Sequence, residues 1–243
     1  MPTFEDWALV TIHGAMSDSE GLNALCNYCR ERLPGLNTFH VNYHEIGVRR
    51  IINDDPIRHL IQETVQAQFL TLLSTIEAGR GYPARLATKI LVVAHSYGTV
   101  VLYEYLRAAH LRLVLERVVL TGCILQRWIN WTYFIETSRI LRHPPINFVR
   151  PFDCIARLGR RMTHERSMSG TRGFSGIGAH VPMNVFKPGG HRAYNPDDFD
   201  DIVAIINGTF TGARYSKEER AFLATLSLGE RAKLRLYRAL RWA

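Results

Sequence analysis

The sequence predicts an α/β domain in which a mostly parallel sheet of about six strands carries helices on both faces. Three observations lead there. Six short apolar runs, at Trp7–His13, Asn37–Tyr43, Lys89–Ala94, Arg117–Thr121, Ile146–Val149 and Val181–Phe186, have strand length rather than helix length. The segments between them contain apolar residues at helical spacing, and right-handed crossovers of such units build a parallel sheet. At 243 residues, 47% of them hydrophobic, the chain can bury a sizeable core and nothing forces a second domain.

Taken in order, the first strand runs from Trp7 and ends in His13-Gly14-Ala15. The helix expected over Glu20–Arg32 holds Cys26 and Cys29, a lone C-x-x-C with no second pair to complete a zinc site; Cys123 and Cys154 stand at strand ends, and buried free thiols are expected. His40 and His44 lie four apart on the second strand beside Glu45, but a third ligand is not evident, so no metal is expected. Helix starts that pair an N-cap with a first-position proline precede Ile57–Ile76, at Asp55-Pro56, and Asp197–Ile206, at Asn195-Pro196. Asp197, Asp198, Asp200 and Asp201 read as an acidic first turn that complements a helix dipole. The glycine-rich stretch Ser167–Gly178 follows no strand and opens no clear helix, so it is an irregular loop rather than a phosphate cradle.

The most informative stretch is Lys89–Gly98, KILVVAHSYG, which runs straight into TVVLYEYLRAAH. A strand, a serine between small residues and a helix form the pattern of a nucleophile elbow. The turn is crowded, so the positions two before and two after the serine must be small; here they are Ala94 and Gly98. A serine hydroxyl is a poor nucleophile at neutral pH and needs a histidine to take its proton, with a carboxylate behind that histidine. Asp153 lies just beyond the strand Ile146–Val149, and His191 follows the strand Val181–Phe186 after a Lys187-Pro188-Gly189-Gly190 turn. The rivals are His180, which precedes its strand and so belongs at the other end of the sheet, and Glu136, which follows the preceding strand. His95 adjoins the serine and is expected to point away from it in a structural role.

The order Ser96, Asp153, His191 on loops after successive strands resembles the α/β-hydrolase superfamily. The resemblance covers roughly residues 7 to 210. It implies that Ser96 is the nucleophile, Asp153 the orienting acid and His191 the general base. It further implies an oxyanion hole made by the backbone N–H groups of Ala15, in the His-Gly-x segment, and of Tyr97, directly after the nucleophile. The superfamily's first two strands have no counterpart here, and the segment Gln126–Pro145, where larger esterases carry a lid, is short. Its Trp128, Trp131, Tyr133 and Phe134 either line an apolar acyl pocket or plug the core. No metal or organic cofactor is called for.

The function implied is a serine hydrolase working through an acyl-enzyme, a carboxylesterase or lipase-like enzyme on a small-molecule ester. Thioester hydrolysis, amide hydrolysis and acyl transfer use the same residues and stay open, as does a non-catalytic binding protein on the same fold. The formal charge of +8 invites an acidic partner, yet no nucleic-acid-binding signature accompanies it. MPTFEDWALV enters a strand directly and no apolar run reaches membrane-spanning length, so a cytoplasmic location is the expectation. Residues 1–210 form the expected core and 211–243 a helical extension. In that extension Ser216 with Glu219 and Ser227 with Glu230 have capping-box spacing, and Arg231, Arg235 and Arg238 line one face. This basic helix either packs on the core or contacts an anionic membrane surface or a protein partner.

Overall fold

The structure is a computed structural model, and it describes residues 3–14, 20–41, 60, 63–64, 67–68, 71, 89–107, 114–150, 153, 156, 169–175, 179–180, 182–187, 191 and 196–210. The expectations for Ala15, His44, Glu45, Cys154 and the extension 211–243 lie outside them, as does most of the helix expected at Ile57–Ile76.

Among the described residues, six strands form one sheet: β1 (Trp7–Ile12), β2 (Asn37–Val41), β3 (Lys89–His95), β4 (Arg117–Thr121), β5 (Ile146–Val149) and β6 (Met183–Phe186). All pair in parallel, in the order β2-β1-β3-β4-β5-β6. The chain first steps outward from β1 to β2, then returns to lay β3 on the other side of β1. That reversal opens a crevice between the carboxyl ends of β1 and β3, the place where open α/β sheets bind ligands. The register keeps these ends level. Ile12 lies opposite Ala94, His95 opposite Thr121, Thr121 opposite Phe148, and Val149 opposite Phe186. Every loop that follows a strand therefore leaves from the same edge.

Strand alternation divides the core in two, because successive side chains point to opposite faces. Ala8, Val10 and Ile12 of β1 join Val92 and Ala94 of β3 and Val118 and Leu120 of β4 on one face. Helix α2 (Tyr97–Arg107) covers that face with Val101, Leu102, Tyr105 and Leu106. On the other face Leu9, Leu91, Val93, Val119 and Phe148 pack against α1 (Glu20–Arg32) through Leu22, Leu25, Cys26 and Cys29. The helix after β6, counted here as α4 (Pro196–Ile206), adds Ile202, Ile205 and Ile206 to the same layer. Each of these fully buried aliphatic side chains contributes about 1.5–3 kcal/mol of transfer free energy.

Two segments differ from the sequence reading. Within the stretch read as an irregular loop, Ser169–Arg172 forms a helical turn, α3. It is tied to the segment after β4 by Gly170 N–H to the Cys123 carbonyl (2.8 Å) and Ser169 Oγ to the Leu125 carbonyl (2.7 Å). Asn147, buried in mid-strand on β5, donates through Nδ2 to the Ser169 carbonyl at 2.9 Å and so fixes the same turn. The aromatic segment after β4 splits. Trp131 and Phe134 are core residues, the latter in a π-helical turn at Tyr133–Thr137, whereas Trp128 and Tyr133 are exposed.

Close approach between α2 and β1 depends on Gly98. A β-carbon there would lie 2.5 Å from the His13 carbonyl oxygen and 2.7 Å from that of Ile12, and neither backbone atom can rotate away. Gly98→Ala is therefore expected to push the helix off β1 and destabilise the fold by about 1–3 kcal/mol, read as a lower urea midpoint with an unchanged m-value. An unaltered midpoint would show that the helix has slack at this contact.

Candidate active site

Ser96 is the single residue between β3 and α2, and it takes up φ +52°, the left-handed region that non-glycine residues avoid. Neighbouring groups hold it there. Its N–H donates to the Thr121 carbonyl at 2.9 Å, and its carbonyl accepts from the Thr99 N–H at 3.0 Å and the Thr99 hydroxyl at 2.6 Å. Gly14, from the loop after β1, lies against the serine side chain, and a β-carbon on Gly14 would come within 2.6 Å of Ser96 Cβ. The left-handed turn lifts the hydroxyl above the sheet edge, and α2 begins at once with Tyr97, so the positive end of that helix faces the same space.

The hydroxyl has a partner. Ser96 Oγ lies 2.9 Å from His191 Nε2, and His191 Nδ1 lies 2.8 and 2.9 Å from the two carboxylate oxygens of Asp153. A carboxylate can only accept here, so the imidazole proton sits on Nδ1 and leaves Nε2 to accept from the serine. Asp153 is fully buried, and its Oδ1 also accepts the Ala156 N–H at 2.7 Å. The arrangement can draw a proton off Ser96 and hold the resulting imidazolium against a fixed anion.

The rivals pair with each other instead. His180 Nε2 lies 3.1 Å from Glu136 Oε1, a solvent-exposed contact beside the π-helical turn. The acidic turn at the start of α4 is a correction to the sequence reading: Asp200 is exposed, but Asp198 and Asp201 are buried and ion-paired, Asp198 with Arg150 and Lys187, Asp201 with Lys187. Their spacing matches a dipole-complementing turn, while their side chains share the face that carries Ile202 and Ile205 into the core.

His95 has a closer role than the sequence suggested. Its ring packs on that of His191, with centroids 4.9 Å apart and planes tilted by 46°, and its Nδ1 lies 2.9 Å from Thr121 Oγ1. Room for both rings comes from Gly122, at φ +52°, where a β-carbon would lie 2.9 Å from His95 Cε1 and 3.1 Å from His191 Cε1. A glycine directly after a strand was the one signal in the sequence for this slot. Burial, with His191 next in importance, holds the His95 pKa well below the ordinary histidine range, so its ring is neutral beside the His191 ring. On the far side of the crevice His13 Nδ1 donates to the Gly14 carbonyl at 2.6 Å, fixing the loop that touches Ser96. His40 Nδ1 pairs with Thr11 Oγ1 at 2.9 Å, and desolvation, helped by His13, lowers its pKa to about 4. No group of three candidate metal ligands stands together among the described residues.

A parallel α/β sheet with a left-handed serine between its central strand and the next helix, and with a histidine–carboxylate pair on the loops of the last two strands, defines a class of fold. It is the α/β-hydrolase fold, and the structure of esterase PE8 superposes on it with a TM-score of 0.51 at 15% identity, covering 86% of this chain and 97% of that one. A putative hydrolase from Agrobacterium vitis S4 matches with a TM-score of 0.49 at 12% identity, over 86% of this chain and 90% of its own. RedJ, the thioesterase of the prodiginine biosynthetic pathway in Streptomyces coelicolor, matches at 0.45 and 14%, over 84% and 86%. No family model matches the sequence, and no curated protein does.

The lowered histidine values fix the sign of a pH effect on stability. Below about pH 6.5 the unfolded chain binds protons at His40 and His95 that the folded chain refuses, so stability is lost as pH falls from there toward about 4. Urea midpoints are expected to decline across this range, and less steeply in His40→Asn. An identical decline in that variant would remove His40 from the account.

Proposed function

We propose that the chain is a serine hydrolase acting on a small carboxylic ester through an acyl-enzyme intermediate. The observation that carries the reading is the unbroken contact from the Ser96 hydroxyl through both nitrogens of His191 to the buried Asp153. His191 Nε2 takes the Ser96 proton as Oγ attacks the ester carbonyl. The oxyanion is held by the N–H of Tyr97 and, from its position next to Gly14, that of Ala15. His191 gives its proton to the leaving alkoxide, then removes one from water, whose oxygen attacks the acyl carbon, and returns that proton to Ser96 Oγ as the acid leaves. Asp153 keeps the imidazole in one tautomer and stabilises its charged form throughout.

Leaving-group chemistry favours an ester over an amide. An alkoxide leaves once it gains the single proton that His191 carries, whereas an amide nitrogen also needs its lone pair turned out of conjugation. Thioester cleavage and acyl transfer would proceed on the same atoms. A binding protein without chemistry has no use for a strained serine, and the strain here is supported from both flanks by Gly14 and Thr99. The free, buried thiols of Cys26, Cys29 and Cys123 suit a reducing cytosolic setting.

Turnover of a chromogenic short-chain ester is expected to fall by on the order of 10³-fold or more in Ser96→Ala, with the circular dichroism spectrum unchanged. Asp153→Asn is expected to lower kcat far more than Glu136→Gln, because the amide can donate to Nδ1 and so favours the wrong tautomer. Equal rates for wild type and Ser96→Ala, or the reverse ranking of the two carboxylate variants, would contradict the assignment.

A further inference from the structure

We propose that the buried charge cluster of Arg150, Lys187, Asp198 and Asp201 is a clamp that positions the acid and the base of the site. The proposal rests on the serine-hydrolase reading of Ser96, His191 and Asp153. All four side chains are buried, Arg150 and Asp198 each 1% exposed and Lys187 and Asp201 nearly as deeply. Asp198 bridges the two cations, its Oδ2 accepting from Arg150 Nη2 and its Oδ1 lying 3.4 Å from Lys187 Nζ. Asp201 also pairs with Lys187, whose ammonium sits over the Phe148 ring, 4.9 Å from its centroid.

The placement along the chain gives the cluster its meaning. Arg150 directly follows β5, and its carbonyl accepts the Asp153 N–H at 3.0 Å, so its backbone forms the turn that delivers the acid. Lys187 directly follows β6, and its N–H extends the ladder to the Val149 carbonyl at 2.9 Å. His191 lies between Lys187 and Asp198, and these two are ion-paired, so the loop that carries the base is closed across its own ends. The second arm of Asp198, to Arg150, ties that closed loop to the acid turn. One carboxylate thus links the bases of both loops.

Stability alone is a weak reason for such a cluster. Removing four charges from water costs more than their mutual attraction readily returns, and apolar residues of similar volume commonly serve a core as well or better. Arg150 Nε and Nη1 moreover have no hydrogen-bond partner among the described residues. What charges provide and apolar packing does not is directional registration between two loops. The site needs that registration, since a displacement of about 1 Å at the reacting groups costs about 10²-fold in rate.

The test compares wild type with the charge-balanced pair Arg150→Met/Asp198→Leu, which removes the tie between the loops and leaves Lys187 with Asp201. Ester kinetics and the rate of phosphonylation by a fluorophosphonate are measured on protein shown to unfold cooperatively. The expected result is a fall in kcat and in phosphonylation rate of on the order of 10-fold or more with KM nearly unchanged. Asp198→Glu, which keeps every charge but lengthens the bridge, should fall between the two, and it serves alone if the pair does not fold. Variants that fold and react at the wild-type rate would overturn the clamp, leaving the serine-hydrolase reading in place. A wild-type protein that neither turns over esters nor accepts the phosphonate would instead remove the reading, and the clamp with it.

Discussion

Everything at the carboxyl edge of the sheet depends on one cramped turn, the passage of the backbone through Ser96 from β3 into α2. The left-handed conformation at a residue with a β-carbon costs on the order of 1–3 kcal/mol, and the surroundings must supply it. They do so by hydrogen bonds to the Ser96 N–H and carbonyl, and by leaving Gly14, whose β-carbon would meet Ser96, without a side chain. Gly98 lets α2 settle on the backbone of β1; Gly14 lets the loop after β1 reach the serine. The topological reversal that lays β3 beside β1 is what brings the loop after β1 and the start of α2 together.

The second constraint is electrostatic. Asp153 is fully buried, His95 is neutral beside the His191 ring, and among the described residues the buried Arg150 and Lys187 are ion-paired with Asp198 and Asp201. Water is kept from the carboxylate while His191 retains a small exposed surface, its side chain 15% accessible. A histidine so placed can exchange its proton with a substrate above it while its other nitrogen stays fixed below. The packed His95 ring and the bare backbone of Gly122 leave the imidazole little freedom to turn away.

Much of the fold was legible in one dimension because a buried parallel sheet writes itself as short, continuous apolar runs. The six runs stand where β1 to β6 lie, with ends shifted by a residue or two: β3 continues to His95, and β6 is first seen at Met183. The serine turn was legible for a similar reason, since its crowding restricts residue size at Ala94 and Gly98. What escaped the sequence was contact between distant loops. Nothing local distinguishes Asp198 and Asp201 from a solvated acidic turn, although their spacing puts them in line with Ile202 and Ile205, which are buried. Arg150, between the apolar Val149 and Pro151, gave the other half of that hint. The pairing of His180 with Glu136 was equally invisible, because 44 residues separate the two and nothing local in the sequence links them.

The proposed chemistry requires Ser96 to be an activated nucleophile, and the most direct measurement is to locate a fluorophosphonate adduct, formed on the intact, native protein, by peptide mass mapping. A single adduct on the peptide containing Ala94–Gly98, absent when the protein is denatured before exposure, is the predicted result. No adduct, or one carried by another residue such as Ser169, would contradict it.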